Sequence, residues 1–93
     1  MADRIIVTVY SEETQKYYDM EIPVACEAGR LTEDIADTIS GIEERTYNRM
    51  GRLSLWDDRL KKMLAPEKSL KEQGVRNGDY LYLTETSLNT SDL

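Results

Sequence analysis

The sequence contains no histidine and only one cysteine among its 93 residues. Without imidazole, the chain lacks both the most frequent general base and the most frequent metal ligand in proteins. Cys26 has no partner for an internal disulfide, which is typical of proteins kept in a reducing compartment. Because acidic Glu27 follows it, we expect Cys26 to be a half-buried loop residue rather than a reactive thiol.

Long apolar runs are also missing. The charged start at residues 1–4 is followed by too few apolar residues for a secretory signal, and a membrane span needs about 20 of them. Eighteen acidic residues against twelve basic ones give a formal charge of −6. Nucleic acids and anionic membranes both require a basic face, so the charge argues against either as a main partner. We therefore expect a cytoplasmic chain that does not insert into a membrane.

Alternating and β-branched residues near the N-terminus predict a β-hairpin. Residues 5–10 are dense in β-branched side chains, and residues 16–22 alternate apolar with polar. Polar residues 11–15 connect the two runs, and Pro23 ends the second because it cannot donate to a strand ladder.

One amphipathic helix follows in the sequence. Ile35, Ile39 and Ile42 recur at the i, i+4, i+7 spacing of a buried stripe. Thr32 is the predicted N-cap and Gly51 the predicted C-terminal stop.

The C-terminal half predicts two more strands, at residues 52–57 and 80–84. The sequence does not decide whether residues 60–64 form a short strand or an irregular crossing. Residues 69–73 predict a one-turn helix closed by Gly74, and Asn77-Gly78-Asp79 predicts a tight turn. We expect one domain over residues 1–84 and a polar tail over residues 85–93.

This order of elements predicts an α+β fold, with a mixed sheet of four or five strands packed on one main helix plus the one-turn helix. A hairpin and a helix of these lengths are marginal alone, and packing the helix across the sheet buries both. The last strand is expected beside the first, since both are strongly apolar. The predicted core consists of the inward members of each pattern: Ile5, Val7, Val9, Tyr18, Met20, Ile22, Ile35, Ile39, Ile42, Leu53, Leu55, Leu81 and Leu83.

The opposite face of the sheet is predicted to carry an aromatic surface, because residues flanking the inward ones must point outward. Tyrosine and tryptophan are enriched at binding hot spots, which favours a protein-binding role. Exposed strands also tolerate tyrosine and threonine simply because cross-strand pairs stabilise a sheet, so both interpretations stay open. The candidate protein-binding residues are Ile6, Thr8, Tyr10, Tyr17, Ser54, Trp56, Tyr80 and Tyr82, with Asp19 and Glu21 beside them.

We expect the other charged clusters to be solvated surface residues rather than metal-binding or catalytic groups. Asp57-Asp58 and Glu43-Glu44 are adjacent carboxylates that point in different directions and lack the spacing of a calcium loop. No nucleophile–base pair or phosphate-binding glycine loop is recognisable in the sequence. We predict no enzymatic activity, no cofactor, no metal and no small-molecule substrate. A small basic cluster is expected to be solvated or to contact an acidic partner: Arg59, Lys61 and Lys62.

Residues 69–83, with the sequence SLKEQGVRNGDYLYL, resemble the C-terminal signature of ubiquitin-like β-grasp proteins. In that signature Leu70 and Val75 would close the open end of the core. Length, a start directly at the first strand, the Asn-Gly-Asp turn and an ending without diglycine are similar to the YukD/EsaB group of type VII (ESX-like) secretion systems. The resemblance implies a non-enzymatic cytoplasmic adaptor, peripheral to a membrane secretion complex, whose partners are secretion components. In ubiquitin the outer sheet face is the main recognition surface.

Three alternatives accompany this resemblance. A ubiquitin-like modifier or sulfur carrier uses a Gly-Gly terminus, and the sequence given ends in bulky residues 89–93, so conjugation is disfavoured. The domain could be the N-terminal part of a larger membrane transport protein. A domain that binds small GTPases would present basic residues on its edge strand, where this chain has Tyr17, Asp19 and Glu21.

Overall fold

The computed structural model describes residues 3–47 and 52–86. The strands are β1 (Arg4–Ser11), β2 (Lys16–Pro23), β3 (Arg52–Asp57), β4 (Lys62–Met63) and β5 (Tyr80–Thr86), and the helix is α1 (Ala28–Glu43). The strand order is β2-β1-β5-β3-β4; β1 and β5 are parallel and the other neighbours are antiparallel. This five-stranded mixed sheet on one helix is the β-grasp arrangement that the sequence predicts.

The strand register matches the predicted alternation. Val9 lies opposite Tyr18 of β2 and Leu81 of β5, and Leu55 of β3 lies opposite Leu83 of β5. Because cross-strand neighbours share a face, these side chains all point towards α1. The aliphatic members are fully buried, and Tyr18 is partly buried against them.

Helix α1 begins five residues earlier than predicted, and Thr32 is not its N-cap. Glu27 occupies that position without a side-chain capping bond. The first helical N–H groups find backbone partners instead: Ala28 donates to the Lys68 carbonyl at 2.9 Å and Gly29 to the Pro66 carbonyl at 2.9 Å. Thr32 is buried inside the helix, where its Oγ1 donates to the Ala28 carbonyl at 2.7 Å. A distant segment of backbone therefore replaces the side-chain cap.

The helix also ends earlier than predicted, and Ile42 is not a core residue. Glu44 adopts a left-handed conformation and its N–H bonds the carbonyls of the last turn, so α1 stops at Glu43. Ile42 is 58% exposed and lines a groove between α1 and β2. Tyr47 is buried instead, and its hydroxyl lies 2.6 Å from the Ser11 hydroxyl. The predicted stop at Gly51 falls outside the described residues.

The segment that leads into β5 forms consecutive tight turns. Residues 70–74 form hydrogen-bonded turns in place of the predicted one-turn helix. Gln73 N–H bonds the Leu70 carbonyl at 3.1 Å, and the side chains of Leu70 and Val75 are buried. Gly74 and Gly78 both have positive φ angles, which L side chains resist. Strand β5 continues to Thr86, two residues beyond the predicted strand end, and residues 87–93 of the predicted tail lie outside the described part.

No helix in the described ranges combines the length and the apolar character that crossing a bilayer requires.

Changing two glycines of α1 to alanine should alter the free energy of unfolding in opposite directions. A Cβ on Gly29 would lie 3.0 Å from Pro66 Cβ and 3.1 Å from the Pro66 carbonyl oxygen, whereas a Cβ on Gly41 would meet nothing within 4 Å. We expect Gly29→Ala to lower the free energy of unfolding by about 1–3 kcal/mol through overpacking. Gly41→Ala should raise it by up to about 1 kcal/mol through helix propensity. Urea denaturation of both variants measures the difference, and equal effects would contradict the close approach of α1 to Pro66.

Candidate protein-interaction surface

One row of side chains crosses the outer face of the sheet from edge to edge. Register pairs Tyr17 with Tyr10, Tyr10 with Tyr82, Tyr82 with Trp56, and Trp56 with Met63. We call these five residues the aromatic row. Each of the five strands contributes one member, and direct cross-strand neighbours point to the same face. The row therefore forms a continuous apolar band on the face opposite α1.

The rings of this surface pack against one another. The ring centroids of Tyr10 and Tyr17 lie 4.8 Å apart, and those of Tyr10 and Tyr82 lie 5.8 Å apart. Tyr80, in the adjacent position of β5, makes an edge contact with Tyr17 at 6.5 Å. These distances fall in the range where tilted aromatic pairs are favourable. Mutual contact leaves Tyr10 and Tyr82 half-buried.

The other predicted surface residues flank the aromatic row on the same face. Thr8 is half-buried and its Oγ1 donates to Asp19 Oδ1 at 2.7 Å. Ile6 is exposed opposite Glu21, and Ser54 is half-buried opposite Thr84. All eight candidate residues thus lie together on one face, as alternation predicts; their role in binding stays a prediction.

Met63 is a member of the row that the sequence analysis missed. It is 44% exposed and pairs with Trp56 through the two-residue strand β4. The turn between β3 and β4 contains no glycine, and Lys61 takes the positive φ of 56°. The usual turn signal was therefore absent, and only the apolar pair Met63-Leu64 hinted at a strand.

The prediction that Asp57 is solvated is wrong. Its side chain is fully buried; Oδ1 accepts a hydrogen bond from the Leu60 N–H at 3.0 Å, and Oδ2 has no hydrogen-bond partner. Burial, and then the neighbouring Asp79 carboxyl, raise the pKa of Asp57 to about 6. Asp58, the other member of the pair, is half-exposed and pairs with Lys61 at 3.1 Å.

Arg59 is not part of a solvated basic cluster either. Its Nε donates to Asp79 Oδ1 at 2.8 Å and its Nη2 to the Gly74 carbonyl at 2.6 Å. Burial alone would raise the pKa of Asp79, but the hydrogen bond from Arg59 and the neighbouring Asp57 carboxyl outweigh it and lower that pKa. These contacts tie the turn after β3 to the turns before β5, which is a structural role. Lys61 and Lys62 remain exposed.

Glu43 is also engaged rather than solvated. It accepts hydrogen bonds from Lys16 Nζ at 2.9 Å and from the Tyr18 hydroxyl at 2.8 Å. The bond from Lys16, followed by that from Tyr18, lowers the pKa of Glu43. Its neighbour Glu44 is exposed, and Cys26 is half-buried as predicted. Across residues 3–47 and 52–86, no three histidine, cysteine or acidic side chains group as metal ligands would.

The protein families and solved structures that this chain resembles have the same β-grasp fold. The family model described as "WXG100 protein secretion system (Wss), protein YukD" matches residues 4–83. The EccD5 ubiquitin-like domain from Mycobacterium xenopi superposes with a TM-score of 0.77 at 16% identity, covering 95% of this chain and all of that one. The ubiquitin-like domain of EccD1, a type VII secretion protein of Mycobacterium tuberculosis, gives 0.71 at 21% identity, covering 91% and 100%.

A chain of the MycP5-free ESX-5 inner membrane complex superposes with a TM-score of 0.72 at 17% identity. The match covers 99% of this chain but 24% of that one. No curated protein matches the sequence significantly. At these identities the structural likeness shows a shared fold and nothing more.

Proposed function

Because the chain belongs to the YukD family of WXG100 protein secretion systems, we propose that it is a non-enzymatic cytoplasmic accessory component of a type VII secretion system. In this role it binds a protein partner through the outer face of its sheet. The partner is a component of the secretion machinery, in keeping with the likeness to a chain of the ESX-5 inner membrane complex.

The aromatic row is the observation that carries this proposal. A band of four aromatic rings and one methionine crosses the whole sheet. Its two end members, Tyr17 and Met63, are exposed and therefore accessible to a partner. Aromatic side chains and methionine are enriched at protein interfaces and offer large contact areas at small entropic cost. Packing between the rings reduces the ordering that binding requires. The surface suits a flat apolar patch on a partner.

Removing rings from the aromatic row should weaken partner capture. We expect Trp56→Ala and Tyr82→Ala each to reduce recovery of secretion components by about tenfold or more, as loss of an interface anchor does. The measurement is a pull-down from detergent-solubilised membranes of the native cell, with each variant immobilised at equal density. Circular dichroism checks that both variants keep the fold.

Lys68→Ala is the matched control, because Lys68 is exposed and lies away from the outer sheet face. Its side chain makes no hydrogen bond that the structure describes, so capture should be unchanged. Undiminished recovery with both Trp56→Ala and Tyr82→Ala would show that binding uses another surface.

The partial coverage of the ESX-5 chain favours a second arrangement, in which this domain is one part of a longer membrane protein. The intact mass of the protein isolated from its native cell distinguishes the two. A mass that corresponds to 93 residues supports a separate accessory protein. A larger mass would support the fused arrangement, and a thiocarboxylated or conjugated species would support a modifier or sulfur carrier.

A further inference from the structure

Asn77 and Gly78 extend the pairing between β1 and β5 by one step through a side chain. The Ile6 N–H donates to Asn77 Oδ1 at 2.8 Å, and the Gly78 N–H donates to the Ile6 carbonyl at 2.8 Å. Two residues further on, the Thr8 N–H bonds the Asp79 backbone carbonyl at 3.0 Å. A regular parallel ladder would give Ile6 the backbone carbonyl of residue 77 in the same way. The Asn77 side-chain carbonyl therefore takes the place of a backbone carbonyl.

Asn77-Gly78 is also a dipeptide that is chemically labile in water. The backbone nitrogen after an asparagine can attack the side-chain Cγ atom, and a following glycine has no Cβ to hinder this attack. The new C–N bond closes a cyclic imide, the bond from Cγ to the side-chain nitrogen breaks, and that nitrogen leaves as ammonia with the proton of the attacking N–H. Water then opens either ring carbonyl and gives aspartate or isoaspartate. The net reaction consumes one water and releases one ammonia.

In the folded chain both reacting groups are bound to Ile6. The Gly78 nitrogen must lose its proton to become a nucleophile, but that proton lies in the hydrogen bond to the Ile6 carbonyl. The bond from the Ile6 N–H to Asn77 Oδ1 restricts rotation of the side chain that would be attacked. Asn77 and Gly78 are both exposed, so water and base reach them once these contacts open.

The turn that carries Asn77 is fixed from its other side as well. The Asp79 N–H bonds the Arg76 carbonyl at 3.0 Å, and the Arg76 N–H bonds Asp79 Oδ2 at 3.1 Å. Asp79 is itself buried and accepts a hydrogen bond from Arg59. Freeing both reacting groups of the dipeptide therefore requires a local opening in which this part of β1 separates from the turn before β5.

We propose that Asn77 is a site of spontaneous deamidation whose rate is controlled by the docking of β1. The amide persists while Ile6 is bound and is converted when this part of β1 opens. Aspartate keeps a side-chain oxygen that can accept the Ile6 N–H, whereas isoaspartate moves the former side-chain carbonyl into the main chain and adds a methylene there. Chains with isoaspartate therefore lose the Ile6 contact and open more readily. The modification marks molecules in which β1 has separated from β5.

Deamidation rates of the full chain in the folded and denatured states test this proposal. The protein is incubated at mildly alkaline pH in guanidinium chloride that unfolds it, and in sodium chloride of the same concentration. Trypsin cleaves after Arg76, so tandem mass spectrometry of the peptide that begins at Asn77 locates and measures the conversion. Chromatography separates aspartate from isoaspartate. We expect conversion to be at least about tenfold slower in the folded chain, since only the open fraction reacts.

Three variants examine the cause of the protection. Val7 is adjacent to Ile6 and 1% exposed, so Val7→Ala should loosen this part of β1 and accelerate conversion in the folded chain by about threefold or more. Ile42→Ala is the control, because Ile42 is 58% exposed on α1, and its conversion rate should be unchanged. Asn77→Gln should convert far more slowly even in denaturant, because its longer side chain must close a larger ring.

Equal rates in the folded and denatured chains would show that the fold does not control the reaction. Absence of conversion in denaturant would show that Asn77 is not a modification site. Equal acceleration by Val7→Ala and Ile42→Ala would show that docking of β1 is not the protecting contact. Each of these results would overturn the proposal.

Discussion

Replacing Leu81 by alanine is expected to lower the free energy of unfolding by about 3 kcal/mol, whereas Tyr80→Ala should lower it by about 1 kcal/mol or less. The two residues are adjacent in β5, but Leu81 is 0% exposed and Tyr80 is 50% exposed. Leu81 lies between Val9 and Asp57 in the centre of the sheet, so its removal leaves a cavity that neighbouring strands cannot fill. Urea denaturation followed by circular dichroism measures both changes.

The ordering of the two variants is the decisive result. If Tyr80→Ala were the more damaging substitution, the faces of β5 would be reversed and the aromatic row would not be on the surface. Should Leu81→Ala be too unstable to purify, Leu81→Val and Tyr80→Val give the same comparison at smaller amplitude.

The buried carboxyl of Asp57 should make part of the stability depend on pH in an unusual direction. The folded-state pKa of about 6 lies above the ordinary 3.8, so the folded protein holds this proton more tightly than the unfolded chain. The contribution of Asp57 is therefore most favourable below about pH 4 and declines as pH rises to about 6. At pH 7, Asp57→Asn should raise the free energy of unfolding by up to about 3 kcal/mol. Asparagine keeps an acceptor for the Leu60 N–H.

A difference curve isolates this effect. Glu43 and Asp79 have lowered pKa values, so their contributions are present at neutral pH and are lost as pH falls. Subtracting the unfolding free energies of the protein from those of Asp57→Asn between pH 3 and pH 8 removes most of that opposing trend. A flat curve for Asp57→Asn would mean that burial does not raise the pKa of Asp57.

The strands and their faces were predictable from sequence because the alternation of residue types along a strand assigns each side chain to one face of the sheet. Alternation assigned Leu81 to the inner face and Tyr82 to the outer face, and the structure agrees. The helix ends were not predictable, since the backbone carbonyls of Pro66 and Lys68, more than 30 residues away, replace the side-chain cap that Thr32 was expected to supply. Local sequence carries no information about a partner supplied by a distant turn.

Charged residues were the least predictable part of the chain. The adjacent pair Asp57-Asp58 has one fully buried and one half-exposed member. Alternation along β3 places Asp57 on the same inward face as Leu53 and Leu55, but its carboxylate favoured a solvated position, and here the pattern prevails over the residue type. Ile42 was also assigned wrongly: it satisfies the helical stripe of the sequence but is 58% exposed.

The parallel pairing of β1 and β5 determines how the domain responds to pulling. Arg4 and Thr86 lie at opposite ends of these two central strands, so tension applied through them slides the strands past each other. Such shear loads the bonds from Thr8, Glu12 and Gly78 simultaneously rather than opening them one after another. The domain should therefore resist mechanical extension far better than a hairpin peeled from its end.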